Sequence, residues 1–302
     1  MCSSSPKVSV VIPTYGGSHS LERAIDSVLL QNYSNFDVIV VDDNDPQTEA
    51  RKRTESMIRK YEKDSRVLYI QHPFNKNGAA ARNTGVTASD AKYICLLDDD
   101  DLFLQDHILY EVEYLEHNPD FKACYCWRKQ RGVEICGTET GDLSGSLLDL
   151  SFTPTTPSIM IHRDCYLSLG GFDEAYRRHQ DYEFLLRYFE RYKIGVVNAV
   201  LLELVGNDVN NQLQGKKLYD LKISFFSEFG DKIEEIDHKS PGFKRKAYAM
   251  HFSAACKELL RHGNLILAMK LYFSHGIYGG LLFWKLLFSR CFTGLYKKLA
   301  SR

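Results

Sequence analysis

"YICLLDDDDLF", residues Tyr93 to Phe103, sets an apolar run directly against four consecutive carboxylates, Asp98, Asp99, Asp100 and Asp101. An apolar run without alternation reads as a strand buried on both faces, the kind found in parallel sheets. Upstream, "KVSVVIP" (7–13), "FDVIVVDDND" (36–45) and "RVLYIQH" (66–72) have the same character, and the second also ends in acids, Asp42 and Asp43. Helical patterns fill the gaps between these runs. Leu21, Ile25, Val28 and Leu29 share one face of "LERAIDSVLLQ", a charged helical stretch covers 48–63, and "NGAAARNTGVTAS" (77–89) is a loop feeding a small-residue helix. Strand and helix alternate four times, which predicts an α/β fold: a doubly wound, mainly parallel sheet with helices on both faces.

The totals suit such a fold. A chain of 302 residues that is 44% hydrophobic and 25% charged, with net charge −1, has ample core material and no bias toward nucleic acid. The eight cysteines are scattered and mostly lie in apolar stretches, which reads as reduced thiols in a cytoplasmic protein. Cys124 and Cys126 form the one close pair, and no second Cys/His pair completes a zinc pattern. The start has no apolar leader-like run, and no uncharged apolar run reaches the ~20 residues that a membrane span needs. Downstream, 132–157 reads as a loop region, "GGFDEAYRRHQDYEFLLRYFERY" (170–192) as a turn and helix, and everything from about Lys216 as helical. The expected organisation is an α/β domain over 1–215 and a helical C-terminal extension over 216–302.

Ligands of an open parallel sheet bind beyond the carboxyl ends of its strands, where two of these four strands place acids. A lone Asp run more commonly caps a helix or solvates a turn. The apolar strand immediately upstream, and the second acidic strand end, favour a ligand instead. Clustered carboxylates repel one another, and an all-oxygen set suits Mg²⁺ or Mn²⁺, typically shared with substrate phosphates.

"VSVVIPTYGGSHSLERAIDSVLLQNYSNFDVIVVDDND", then "NGAAARNTG", "YICLLDDDDLF" and "GGFDEAYRRHQDYEFLLR", in this order and spacing over about 7–205, resemble the inverting family 2 glycosyltransferases of GT-A fold. The resemblance implies a nucleotide-sugar donor, here expected to be UDP-linked, a divalent metal (Mn²⁺ or Mg²⁺), and transfer to a hydroxyl of a glycan acceptor by single displacement. It places Pro13, Thr14, Tyr15, Asp43 and Arg82 around the nucleotide. Asp98 or Asp99 falls on the ribose side and Asp100, with Asp98, on the metal, although four acids in a row leave that register open. Asp101 is expected to cap the next helix. Asp181 matches the catalytic base, with Glu183 as the fallback. Gly171, Asp173 and Glu174 match the sugar and acceptor side, where Gly170 and Gly171 are expected to let backbone approach the sugar. Trp127 and His162 are further acceptor-side candidates. The family's downstream His ligand is missing from "LVGNDVNNQ" (204–212), which leaves His179 as the nearest alternative.

No acidic residue follows Glu258, whereas Arg261, Lys270, Lys285, Arg290, Lys297, Lys298 and Arg302 do. Leu281, Trp284, Phe288, Phe292, Leu295 and Leu299 form an apolar stripe at helical spacing, which suggests an interfacial helix on anionic lipid at the inner face of the plasma membrane, with a lipid-linked oligosaccharide as acceptor. The same stripe also fits docking within the chain or in a homo-oligomer. Two rival readings of the whole are a catalytically inactive partner subunit of a glycan-assembly complex and a sugar nucleotidyltransferase. The latter lacks its Gly-rich basic phosphate loop in "IPTYGGSHSLERA".

Overall fold

A computed structural model describes residues 5–16, 19–176, 178–206 and 213–299, with side chains up to 291. The first half alternates as expected: β1 (Val8–Thr14), α1 (Leu21–Leu29), β2 (Phe36–Asp42), α2 (Glu49–Ile58), β3 (Val67–Gln71), α3 (Gly78–Ala88) and β4 (Tyr93–Leu96). β1 lies between β2 and β4 and is parallel to both, and β3 continues the parallel set beyond β2. Successive strands thus step outward on one side of β1 before the chain returns to its other side. That reversal opens a crevice beyond the carboxyl ends of β1 and β4, which is where the acids lie.

The chain then adds β5 (Leu102–Phe103), α4 (His107–His117), β6 (Ala123–Gln130), β7 (Val133–Ile135), α5 (Ser144–Leu148), β8 (Ile159–His162), α6 (Arg163–Ser168), α7 (Gln180–Phe189) and β9 (Ile194–Leu204). The finished sheet has nine strands in the order β3-β2-β1-β4-β8-β6-β9-β5, with β7 on β6. From β8 onward the pairing is largely antiparallel, and only β6 with β9 is parallel. The expected loop over 132–157 is replaced by β7, α5 and a one-turn 3₁₀ helix at Thr156–Ser158. β7 closes a tight hairpin on β6 through Gln130↔Val133, and the Gly, Ser, Thr and Pro content of the region conceals these short elements.

β1, β2 and β4 are buried almost throughout, with Val10, Ile12, Val38, Val40 and Cys95 joined to Leu21, Ile25 and Val28 of α1 in one core. Each such aliphatic side chain contributes about 1.5–3 kcal/mol by leaving water. α3 packs especially close. A Cβ on Gly85 would lie 2.3 Å from Val11 Cγ1, which explains why this helix is built from small residues. α4 docks partly through polar groups: fully buried His107 stacks on Phe103, directs Nδ1 to the Leu201 carbonyl at 3.0 Å and faces Glu111 at 3.0 Å. The described cysteines are all free, and five of the seven are buried.

The chain divides into two compact units, Met1–Leu143 with Pro154–Gly206, and Ser144–Thr153 with Asn207–Arg302. The second holds α5, α8 (Gly215–Lys239), α9 (Phe243–Arg261), α10 (Leu265–Ser274) and α11 (Gly280–Leu299), around buried Phe225, Phe226, Phe252 and Phe283. The helical reading from about Lys216 therefore matches the described elements.

Candidate active site

The two acidic strand ends have different surroundings. At the end of β2, fully buried Asp42 is 3.1 Å from Arg51 Nε, takes the Tyr69 hydroxyl proton at 2.5 Å and accepts from Asn44 through both its backbone N–H (2.9 Å) and its side chain (2.7 Å). Asp43, also buried, bonds His72 Nδ1 at 2.7 Å and accepts from Lys76 N at 2.8 Å, with Asn75 Nδ2 and Asn77 N each at 2.9 Å. Each of its oxygens already carries two bonds. The nucleobase contact expected of Asp43 thus falls on a residue that also shapes the 72–77 wall of the crevice. Part of that wall is Asn77, held at φ 102, where it caps α3 by accepting from Ala79 and Ala80. His72 extends the chain through Nε2 to Thr84 Oγ1 at 2.9 Å.

At the end of β4 the carboxylates crowd together. Thr14, at the end of β1, donates its hydroxyl to Asp99 at 2.6 Å, and Tyr15 beyond it stands exposed. Pro13 precedes them within the strand. Arg82, on α3, donates Nη2 to Asp98 at 2.5 Å and Nη1 to Gln180 at 3.2 Å. Because Gln180 opens α7, Arg82 links the β4 acids to the first turn of the helix that carries Asp181. Burial pushes Asp181 up to about 6; its bond from Tyr182 N and the nearby Arg82 oppose the shift, and Asp98 adds to it. Burial likewise pushes Asp99 up to about 7, with the charges of Asp100 and Asp98 adding to the effect. A raised carboxyl pKa here reports negative charge that is short of compensation.

Asp101 does not cap a helix. The next helix begins at His107, and Asp101 instead accepts from Val205 N at 3.0 Å and Gly206 N at 3.4 Å, tying the end of β9 to the acidic run. Burial, then Asp98 and Asp100, push it up to about 8. Asp100 stands against the same backbone, since a Cβ on Gly206 would lie 2.0 Å from its Oδ2. A Cβ there would force the Asp100 carboxylate to move.

The 169–174 turn adjoins the 72–77 wall, with Asn77 Nδ2 donating to Glu174 O at 2.9 Å. Gly171 is at φ +70 and a Cβ on it would lie 2.5 Å from Asn83 Oδ1, so packing against α3 accounts for this glycine. The expected close approach of backbone to sugar has no part in that explanation. Asp173 accepts from Ala175 N at 2.8 Å within the turn, and Glu174 accepts from Asn83 Nδ2 at 3.0 Å; both acids are exposed. Asn83 also exchanges bonds with Phe172 and accepts from Tyr166 OH at 2.7 Å, which makes it the hub of this turn. The sequence reading selected Arg82 from "AARN" and missed its neighbour. Glu183, the fallback base, is buried in an ion pair with Arg187, whose guanidinium also donates to the Leu169 and Gly171 carbonyls. It is therefore a clasp holding α7 to the turn.

The two further acceptor-side candidates sit in different surroundings. His162 pairs with Tyr93 at the start of β4, the end of the strand remote from the acids, and burial lowers it to about 4. Trp127 donates Nε1 to Gly137 O at 2.6 Å, anchoring the segment after β7. His179 adopts φ 59 just before α7, with its ring 5.0 Å from Tyr182. Most of 204–212, the stretch in which the family's His ligand is missing, falls outside the described residues.

The donor chemistry of this crevice is all oxygen, with three successive carboxylates at one strand end, and that fits a hard divalent cation. Asp98 and Asp100, with Asp99 beside them, are the residues that would hold it.

Residues 9–135 match the model of the glycosyl transferase family 2. A glycosyltransferase of Rickettsia felis is 35% identical over 143 residues, 47% of this chain and 23% of that protein. One from Methanocaldococcus jannaschii is 29% identical, across 71% of this chain and 77% of that one. The amylovoran biosynthesis glycosyltransferase AmsB of Erwinia amylovora is 30% identical, covering 59% and 62%. The chain spans only about a fifth to a quarter of the rickettsial relatives, at 23%, 23% and 20% of their lengths. Among solved structures, residues 1–349 of S. aureus TarS superpose with TM-score 0.58 at 13% identity, over 94% of this chain and 91% of that one. Its complex with UDP gives 0.56 at 15% identity, over 84% and 69%. The fold is that of the GT-A glycosyltransferases, and residues 9–135 are similar to glycosyl transferase family 2.

Proposed function

We propose that the first unit transfers a sugar from a UDP-linked donor to a hydroxyl of a glycan acceptor, by single displacement with inversion. The observation that carries this reading is the convergence of Asp98, Arg82, Gln180 and Asp181 at the carboxyl end of β4. Attack by a hydroxyl requires a carboxylate to take its proton as the bond to the anomeric carbon forms. Asp181, with a pKa near 6, is deprotonated at neutral pH yet basic enough to accept that proton. The departing diphosphate accumulates charge, and a Mn²⁺ or Mg²⁺ ion held by Asp98 and Asp100 supplies the compensation when bound. Thr14 fixes Asp99 on the ribose side, Tyr15 is free to cover the base, and Glu174 and Asp173 face outward for sugar or acceptor hydroxyls. A relative named for amylovoran biosynthesis and a fold neighbour crystallised with UDP-GlcNAc support a carbohydrate acceptor and a UDP-linked donor. In this reading the acceptor is a growing glycan on a lipid carrier, used at the cytoplasmic face.

Calorimetric titration with UDP, with and without Mn²⁺, tests the donor site. Manganese-dependent binding that is lost in Asp100→Ala is the expected result. Binding of a different nucleoside diphosphate overturns the choice of donor. Failure of every nucleotide in the presence of metal favours an inactive partner subunit.

A further inference from the structure

The second unit carries a surface that the transfer reaction does not use. Of the nineteen exposed large hydrophobic residues among those described, nine fall between Leu265 and Phe288. On α10 these include Ile266, Met269 and Phe273, at helical spacing, with Ile266 81% and Phe273 70% exposed. On α11 they include Leu281, Trp284 and Phe288, again at spacings of three and four, with Leu281 89% exposed. The opposite faces of the same helices are used internally: Ala268 and Leu271 of α10, and Phe283 and Leu287 of α11, are buried. Both helices are therefore apolar on two sides, only one of which the fold covers. Such concentrations of exposed apolar surface mark interaction sites.

The two outward faces form one patch. Tyr272 lies 5.3 Å from Phe273 and 4.8 Å from Trp284 between ring centroids, accepts the Trp284 indole N–H at 3.1 Å, and Trp284 continues to Phe288 at 6.1 Å. The turn between the helices is rigidly seated, since a Cβ on Gly279 would come within 3.0 Å of the Ala249 backbone. Lys270 is exposed between Met269 and Phe273, and Lys285 is exposed between Leu281 and Phe288. No acid occurs anywhere after Glu258, while seven basic residues do.

We propose that this face lies on an anionic lipid bilayer, in the plane of its surface, with the apolar side chains in the acyl boundary and the lysines at the headgroups. Charge selects the partner. A second copy docking symmetrically through this face would appose its lysines with no acid on either side to pair them. Anionic headgroups provide that pairing over the whole surface, and Trp and Tyr favour the interfacial depth. Length selects the orientation. The ten residues of α10 extend about 15 Å, half the ~30 Å hydrocarbon core. No single helix among the described residues is long and apolar enough to cross a membrane. α10 with Gly276–Cys291 passes the length and composition test only as a pair bent by 59°, and α11 has its inner face committed to the protein.

Flotation of the full chain with phosphatidylcholine vesicles, with and without phosphatidylglycerol, tests this directly and involves no sugar transfer. Failure of the reading as a transferase would leave the result untouched. Binding to the anionic vesicles only, weakened by salt, is expected. Lys270→Gln with Lys285→Gln lowers partitioning roughly 25-fold, at roughly fivefold per basic residue. Leu281→Glu with Phe273→Glu abolishes it, and because both side chains are exposed the melting temperature stays unchanged. Absence of binding to either vesicle overturns the proposal, as does a stable dimer that Leu281→Glu dissociates in the absence of lipid. Resistance to extraction at alkaline pH overturns the in-plane orientation.

Discussion

The ends of β2 and β4 look alike in sequence, each an apolar strand running into aspartates, and the protein treats them oppositely. Asp42 is neutralised by a buried arginine and Asp43 is saturated by four donors from one short segment. Burial raises Asp99 to about 7, and the charges of Asp100 and Asp98 add to the shift. The first pair builds a wall. The second cluster is left short of positive charge, which is the condition a metal-bound diphosphate relieves. An acidic strand end alone does not identify a ligand site; what distinguishes it is how far the protein itself compensates the charge.

Three experiments would break or sharpen this contrast. The largest effect is expected on the β4 side, where Asp181→Asn removes the proton acceptor proposed above. It should lower kcat by about 10²–10⁴ while UDP binding by calorimetry stays intact, and an unchanged rate would remove Asp181 from the mechanism. On the β2 side the loss should be of stability instead. Arg51→Ala strands the buried carboxylate of Asp42 and should cost about 3–5 kcal/mol in urea unfolding. If it cost under about 1 kcal/mol, the ion pair would not be what holds this strand end. The smallest effect is a pH trend. Asp181, Asp99 and Asp101 have folded pKa values raised to about 6, 7 and 8, so the native state holds protons that the unfolded chain has released. Without metal, stability from these groups should fall as pH rises from about 4 through 8. Mn²⁺ should raise the melting temperature most at the upper end of that range. A melting temperature that rises with pH in metal-free buffer would show that the acids are already compensated.

Much of this was legible in advance, for identifiable reasons. β1, β2 and β4 are continuous apolar runs in which local pattern and final burial coincide, whereas the edge strand β3 is only partly buried; the parallel half and the acids at its edge could thus be read directly. The functions of those acids could not. Asp101 serves β9, about a hundred residues away, a partner that spacing does not reveal, whereas Glu183 is committed to Arg187 at i,i+4, a pairing that helical spacing does offer. Asn83 and His72 escaped notice because a single polar residue in a helix or at a strand end carries no pattern of its own. The antiparallel half was obscured by short strands among turn-forming residues.

The attachment of Asp101 to Val205 and Gly206 has a consequence for biosynthesis. β4 gains its second neighbour only when Ile159–His162 is available, and the acidic run gains its anchor only when the chain has been made past Gly206. Until then the nascent first half carries an unpaired, apolar strand edge beside an acidic run that lacks this anchor. Such an edge invites pairing with other chains. Completion of the catalytic crevice and protection from aggregation therefore await the same late segment, and translation that stalls before it would leave a half-sheet both inactive and adhesive.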